Sequence, residues 1–145
     1  GLDAIPIIFR KTVFFIGSIP IAYMMTSSRK FINSIMDHYS TTLSRNLTLE
    51  EIFKYKAANV FSAEEFKNLN LNLIKPSPNQ IKQFISNHLD YLDNLPEKKI
   101  SNDQILFWKR FSFCCKKYIP DLKIHGEIRS IFDSNYLSNK EFLKK

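Results

Sequence analysis

In four places along this chain, besides Ser77-Pro-Asn-Gln80, a hydroxyl residue stands three positions ahead of a Glu or Gln. They are Thr48-Leu-Glu-Glu51, Ser62-Ala-Glu-Glu65, Ser101-Asn-Asp-Gln104 and Ser138-Asn-Lys-Glu141. In this spacing the hydroxyl accepts from the backbone N–H three residues on, and the Glu or Gln side chain reaches back to the first residue's own N–H, so two orphan donors of a helix start satisfy each other's needs. Ser77-Pro78 adds an N-cap followed by proline at the first helical position, where its missing N–H costs nothing. Recurrent helix openings predict helices near residues 4–16, 19–44 with a break near Thr26, 49–59, 63–69, 78–94, 102–118 and 121–133, with a short one at the end. Only the Leu-Asn alternation over residues 69–74 has a strand period, and it reads equally as an extended connector before Pro76. The expected fold is all-α, a compact multi-helix domain of about six to eight helices.

A chain of 145 residues makes one domain with one core, so residues 1–145 are taken together. Hydrophobic residues at 44%, with 13 Phe and 6 Tyr, exclude a disordered chain. Gly rather than Met at the first position points to a piece of a larger protein, and the ending Glu-Phe-Leu-Lys-Lys suggests its C-terminal domain. Lys and Arg number 21 against 14 Asp and Glu, a formal net charge of +7. That field suits polyanions, either nucleic acid or an anionic lipid surface. Nucleic acid is the weaker option, because no helix-turn-helix spacing is visible and few of the cations are arginine.

The chain offers no catalytic constellation. It lacks a P-loop, a G-x-S-x-G elbow and the glycines for a phosphate-cradling turn, so neither an enzyme nor a cofactor is expected. His38, His88 and His125 are scattered without metal-ligand spacing and read as surface or capping residues; no metal site is expected. Adjacent Cys114 and Cys115 fit neither a disulfide framework nor a C-x-x-C site and are expected as buried free thiols in a reducing compartment. Carboxylate pairs such as Glu50-Glu51 and Glu64-Glu65 fall in first helical turns, where they favour the helix dipole.

Three segments carry the functional expectation. Residues 5–25 surround Gly17 and Pro20 with Phe14, Phe15, Ile16, Ile19, Ile21, Tyr23, Met24 and Met25, and read as two helices meeting at an apolar corner. Such a corner is either buried core or a tip that dips into a membrane, with Arg10, Lys11, Arg29 and Lys30 at the phosphate level. The uncharged run 12–28 is too interrupted to span a bilayer. Thr26-Ser27-Ser28-Arg29-Lys30 reads as a fresh helix start, hence an anion site or an ordinary capped end. In the helix over residues 102–118, Trp108, Phe111, Cys115 and Tyr118, with Ile119 just after it, form a core arc. Lys109, Arg110, Lys116 and Lys117 share the other arc with Leu106 and Phe113, as on an interfacial helix or a second packing surface.

With its Ile, Lys, Asn and Phe bias and an apolar corner beside hydroxyls and cations, the chain resembles the C-terminal phosphatidylinositol 4-phosphate-binding domains of secreted Legionella effectors. The resemblance implies a basic head-group pocket, an apolar motif pushed into the bilayer, and delivery of an attached effector domain by a bacterium to the cytosolic face of a host membrane. The expectation is therefore a non-catalytic, peripheral membrane-targeting domain. Ser27, Ser28, Arg29, Lys30, Lys109, Arg110, Lys116 and Lys117 would contact a phosphoinositide head group, and Phe14, Phe15, Ile19 and Phe113 would insert. The alternative is a helical protein-interaction module whose Phe113 surface holds a partner helix.

Overall fold

The computed structural model describes residues 4–93, 100–122, 127–139 and 141–144. It corrects the fold class, because the chain is mixed α/β, with two three-stranded sheets among the described residues rather than an all-α bundle. After a short helix α1 (Ala4–Ile8), the apolar corner is built from strands. β1 (Val13–Ser18) runs parallel to β2 (Phe31–Ile35), which runs parallel to β6 (Ile131–Phe132), in the order β1-β2-β6. The physical reason lies in the residues. Val13, Phe14, Phe15 and Ile16, like Phe31 and Ile32, are β-branched or aromatic, and a continuous apolar run suits a parallel strand covered on both faces as well as it suits a buried helix. β2 is buried along its whole length.

The β1–β2 pairing holds register from Val13↔Phe31 to Phe15↔Asn33, then slips before Ser18↔Ile35. Gly17 sits in the slip at φ +67°, a conformation that favours glycine, and a Cβ there would press on the Met36 side chain, 3.3 Å from its Cγ. A 3-10 turn (Ile21–Tyr23) lies within the crossover to β2.

One residue past β2 the chain changes sheet. β3 (Asp37–Ser40) pairs antiparallel with the two-residue β4 (Arg45–Asn46) on one side and with β5 (Leu71–Ile74) on the other. The alternating Leu-Asn segment is therefore a strand, its register running from Asp37↔Ile74 to Ser40↔Leu71.

The helix-opening signals are largely realised. Complete capping boxes start α2 (Leu49–Lys54), α3 (Ala63–Asn68) and α4 (Pro78–Asn87), from Thr48, Ser62 and Ser77. Ser101 caps α6 (Asn102–Tyr118), but Gln104 has other work. Its amide accepts from Phe132 N at 3.0 Å and donates to Phe132 O, so it closes the free edge of β6. The signal at Ser138 is overridden: Asp133 caps α7 (Ser134–Ser138), which ends at Ser138, and that hydroxyl donates to Asn135 O at 2.8 Å. The helix expected over 78–94 breaks at His88, with α5 (Asp90–Asp93) following. The helix expected over 121–133 is replaced at its end by β6, and residues 123–126 lie outside the described residues.

The main core gathers around α6. Phe107 stacks on Phe132 with ring centroids 3.9 Å apart, and Phe111 meets Phe53 edge-on at 5.6 Å. A smaller cluster of Ile32, Phe84 and Ile131 pairs α4 with the parallel sheet, and Phe14 and Ile85 pack against it. No described helix is long and apolar enough to cross a membrane.

Candidate functional site

α6 presents two chemically distinct faces. Gln104, Phe107, Trp108, Phe111, Cys114 and Cys115 are buried. At 100° per residue, Ile105, Lys116, Lys109, Phe113, Leu106 and Lys117 follow one another within an arc of about 120° on the other side. All six are exposed; Phe113 is 55% accessible, Ile105 43% and Leu106 41%. Large apolar groups thus stand in solvent between ammonium groups, where a simply solvated face would carry polar ones.

One edge of this face is fixed. Lys117 Nζ lies 3.0 Å from Glu50 Oε1, 5.3 Å from the centroid of the Phe113 ring and 4.8 Å from that of Tyr118. Tyr118 Oη donates to the same Glu50 oxygen at 2.8 Å. The Tyr118 and Glu50 hydrogen bonds raise the Lys117 pKa. Arg110 is half-buried and shares a hollow of about 40 Å³ with Glu50, Phe113, Cys114 and Lys144. Lys109 and Lys116 have no carboxylate partner among the described residues, so they are the available cations of the face.

The second expected segment does not open a helix. Ser28 Oγ accepts from Lys30 N at 3.1 Å, and Phe31 N donates to Ser28 O at 3.1 Å, which makes 28–31 a turn into β2. Ser27 and Arg29 are exposed, and Lys30 Nζ donates to Arg10 O at 2.5 Å. Ser27 also lines a hollow of about 850 Å³ with Tyr23, Met25, Phe111, Ile119 and Asp121. Phe111 projects about 160° away from Lys109 around α6, so the Ser27 loop lies against the buried side of that helix. Neither this hollow nor the one beside Arg110 is lined by both basic segments. Of the apolar set, Phe14 meets Phe84 edge-on at 5.7 Å, Phe15 meets Phe31 at 5.6 Å, and Ile19 is 37% exposed beside Pro20.

A cleft of about 420 Å³ lies between the second sheet and the chain's end, lined among others by Asp37, Arg45, Glu51, Tyr136, Glu141 and Lys144. Its charges are engaged with each other. Arg45 grips Glu51 with two hydrogen bonds of 2.8 and 2.7 Å, Lys144 pairs with Glu141, and Tyr136 Oη donates to Asp37 Oδ1 at 2.8 Å. The Arg45 contact holds the Glu51 carboxyl at about 2, and burial ahead of Asp37 pushes the Tyr136 hydroxyl up. This arrangement supplies structure rather than a free cation for a phosphate.

Of the histidines expected as surface or capping residues, His38 and His88 are both buried, and His88 is the C-cap of α4. His88 places Nδ1 2.7 Å from Phe84 O, and His38 places Nδ1 2.9 Å from Met36 O; His125 lies outside the described residues. Each ring makes an internal backbone contact, and that burial is what a sequence pattern cannot reveal. Burial lowers the His38 pKa to about 4 from an ordinary 6.5. Between those values the unfolded chain takes up the proton and the folded one resists it, so stability is full above 6.5 and falls as the pH drops towards 4. Urea denaturation should record a loss of about 3 kcal/mol over that window. His38→Asn should remove the part of the slope that belongs to His38; identical slopes in parent and variant would refute its burial as a neutral ring.

Cys114 and Cys115 are free and buried, as expected, and burial pushes their thiols up to about 11 and about 12. They are unreactive near neutral pH. The described residues contain no cluster of three or more potential metal ligands. No protein-family model, curated protein or solved structure matches the chain. The site therefore rests on this chain's own residues.

Proposed function

We propose that this is a non-catalytic domain that docks peripherally on an anionic membrane through the outer face of α6. The observation that carries the reading is the interleaving of exposed Ile105, Leu106 and Phe113 with Lys109, Lys116 and Lys117 along one helix face. On a bilayer the apolar groups rest at the acyl boundary while the lysine stems reach up to lipid phosphates. Phosphoinositides, phosphatidylinositol 4-phosphate among them, are the favoured anionic lipids because they bring the most charge per head group. The docked domain would hold any chain joined to it at the cytosolic leaflet.

Co-sedimentation with vesicles tests the reading, using phosphatidylcholine alone, with phosphatidylserine, and with phosphatidylinositol 4-phosphate. Each cation near an anionic surface contributes about 1 kcal/mol, so Lys109→Glu with Lys116→Glu should weaken binding more than tenfold. The melting temperature should hardly change, because exposed cations contribute little to folding. Binding equal to the parent's would remove α6 from the interface, and a parent that ignores all three vesicles would end the membrane reading.

A further inference from the structure

The N-terminal part of the chain has an unusual charge distribution. Arg10, Lys11, Arg29 and Lys30 lie in a stretch with no acidic residue between Asp3 and Asp37. Folding does not supply the missing carboxylates, since none of these four cations has a carboxylate partner among the described residues. It also brings Lys30 to Arg10 and Lys11. Val13 N donates to Lys30 O at 2.8 Å and Lys30 Nζ donates to Arg10 O at 2.5 Å, which sets the entry to β2 beside the end of α1.

α1 itself is apolar and uncovered. Its sequence is Ala-Ile-Pro-Ile-Ile and none of its residues is buried. Ile5 is 53% exposed, Ile8 74% and the following Phe9 70%. The helix is nevertheless stopped firmly. Arg10 takes a left-handed conformation at φ 53°, Arg10 N donates to Ile7 O at 3.0 Å, and Lys11 N donates to Pro6 O at 2.8 Å. That pair of bonds is a Schellman closure, and it seats two cations at the negative end of the helix. An apolar helical turn thus stands on a shelf formed by Arg10, Lys11 and Lys30.

A contiguous exposed patch of this kind marks a contact surface. The unneutralised shelf decides its partner, because a purely apolar protein surface would leave three cations unpaired, whereas an anionic bilayer offers hydrocarbon above and phosphate at the shelf's level. We infer that α1 is a membrane anchor in which Ile5, Ile8 and Phe9 enter an anionic bilayer while Arg10, Lys11 and Lys30 hold lipid phosphates. The inference rests on the membrane-docking reading but on residues distinct from those of α6.

The test is vesicle binding by Ile8→Ser with Phe9→Ser, alongside Arg10→Glu with Lys11→Glu, on phosphatidylcholine/phosphatidylserine vesicles. Each double variant should keep the parent's melting temperature, since no buried side chain is touched, and lose about tenfold or more in affinity. Ile8→Cys carrying an environment-sensitive fluorophore gives a second readout, because the buried native thiols should not react with the label. Its emission should shift to the blue when vesicles are added. Parent-like binding by both double variants, or an unshifted emission, overturns the anchor. If those results accompany a loss on Lys109→Glu with Lys116→Glu, α1 fails and the α6 reading stands. If α1 variants lose binding while the α6 variant does not, the anchor stands and the α6 face falls. A parent that binds no vesicle defeats both.

Discussion

Phe107→Ala should lower the unfolding free energy by about 4 kcal/mol, the middle of the range for deleting a fully buried phenylalanine. Phe107 has no exposed surface, and its ring lies nearly parallel to Phe132 at 12° with the centroids 3.9 Å apart. Trp108 meets it at 4.7 Å and Phe111 at 6.1 Å. Three of these rings belong to α6 and the fourth to β6, so the cavity opens where the long helix is bound to the parallel sheet. The neighbouring Gln104 bond to β6 holds the backbone there and prevents easy collapse. Natural domains have a stability of about 5 to 15 kcal/mol, so the variant is expected near the edge of unfolding at room temperature. Urea denaturation measures it, with Phe107→Leu as the milder control. A loss below about 1 kcal/mol would place the centre of the core elsewhere.

How much of this could be read from the sequence follows from where each signal is stored. Thr48, Ser62, Ser77 and Ser101 cap helices as expected, because a cap is satisfied within four residues and needs nothing from the rest of the fold. Ser138 does not cap a helix because it ends α7, which Asp133 caps, and its hydroxyl donates back to Asn135 O. α6 was legible over its full length, since one face is apolar and the other alternates Lys with isolated large side chains. The Leu71–Ile74 alternation also carried a true strand signal, being half-covered. β1 and β2 read as helices in the sequence because neither alternates: β2 is buried along its whole length, and part-buried β1 is a continuous apolar run with no period to display. Density of β-branched and aromatic residues, with Gly17 and Pro20 as stops, was the available clue. β6 offers only two residues, paired with a strand about a hundred positions earlier, and no local pattern encodes that.

The site divides in the same way. Lys109, Lys116 and Phe113 were legible because α6 forms where its periodicity places it. The α1 patch was not. Two apolar runs, 4–9 and 13–16, look alike as sequence, and only the fold determines that Phe14 and Phe15 of β1 find cover against Phe84 and Phe31 while Ile5, Ile8 and Phe9 stay exposed. Phe14 and Phe15 are half-buried where Ile5, Ile8 and Phe9 stand exposed, so the apolar patch is displaced from that pair towards α1, while Ile19 remains exposed.

That displacement makes Phe14→Ser with Phe15→Ser a sharp test. On a helix the two rings would point about 100° apart and both could face lipid. On β1 they point to opposite faces of the sheet, where each has found a partner: Phe14 lies against Phe84 and Phe15 against Phe31. Both are half-buried, so each substitution should cost about half of a full truncation, and the pair about 4 kcal/mol together. Serine adds an exposed hydroxyl rather than a buried one at these depths, so the loss comes from packing. Thermal melting should show the double variant strongly destabilised, and Phe14→Leu with Phe15→Leu close to the parent. A serine variant that melts with the parent would mean that neither ring is held by the sheet. It would return Phe14 and Phe15 to the list of groups free to enter a bilayer, and take the packing of β1 against Phe84 and Phe31 out of the fold's support.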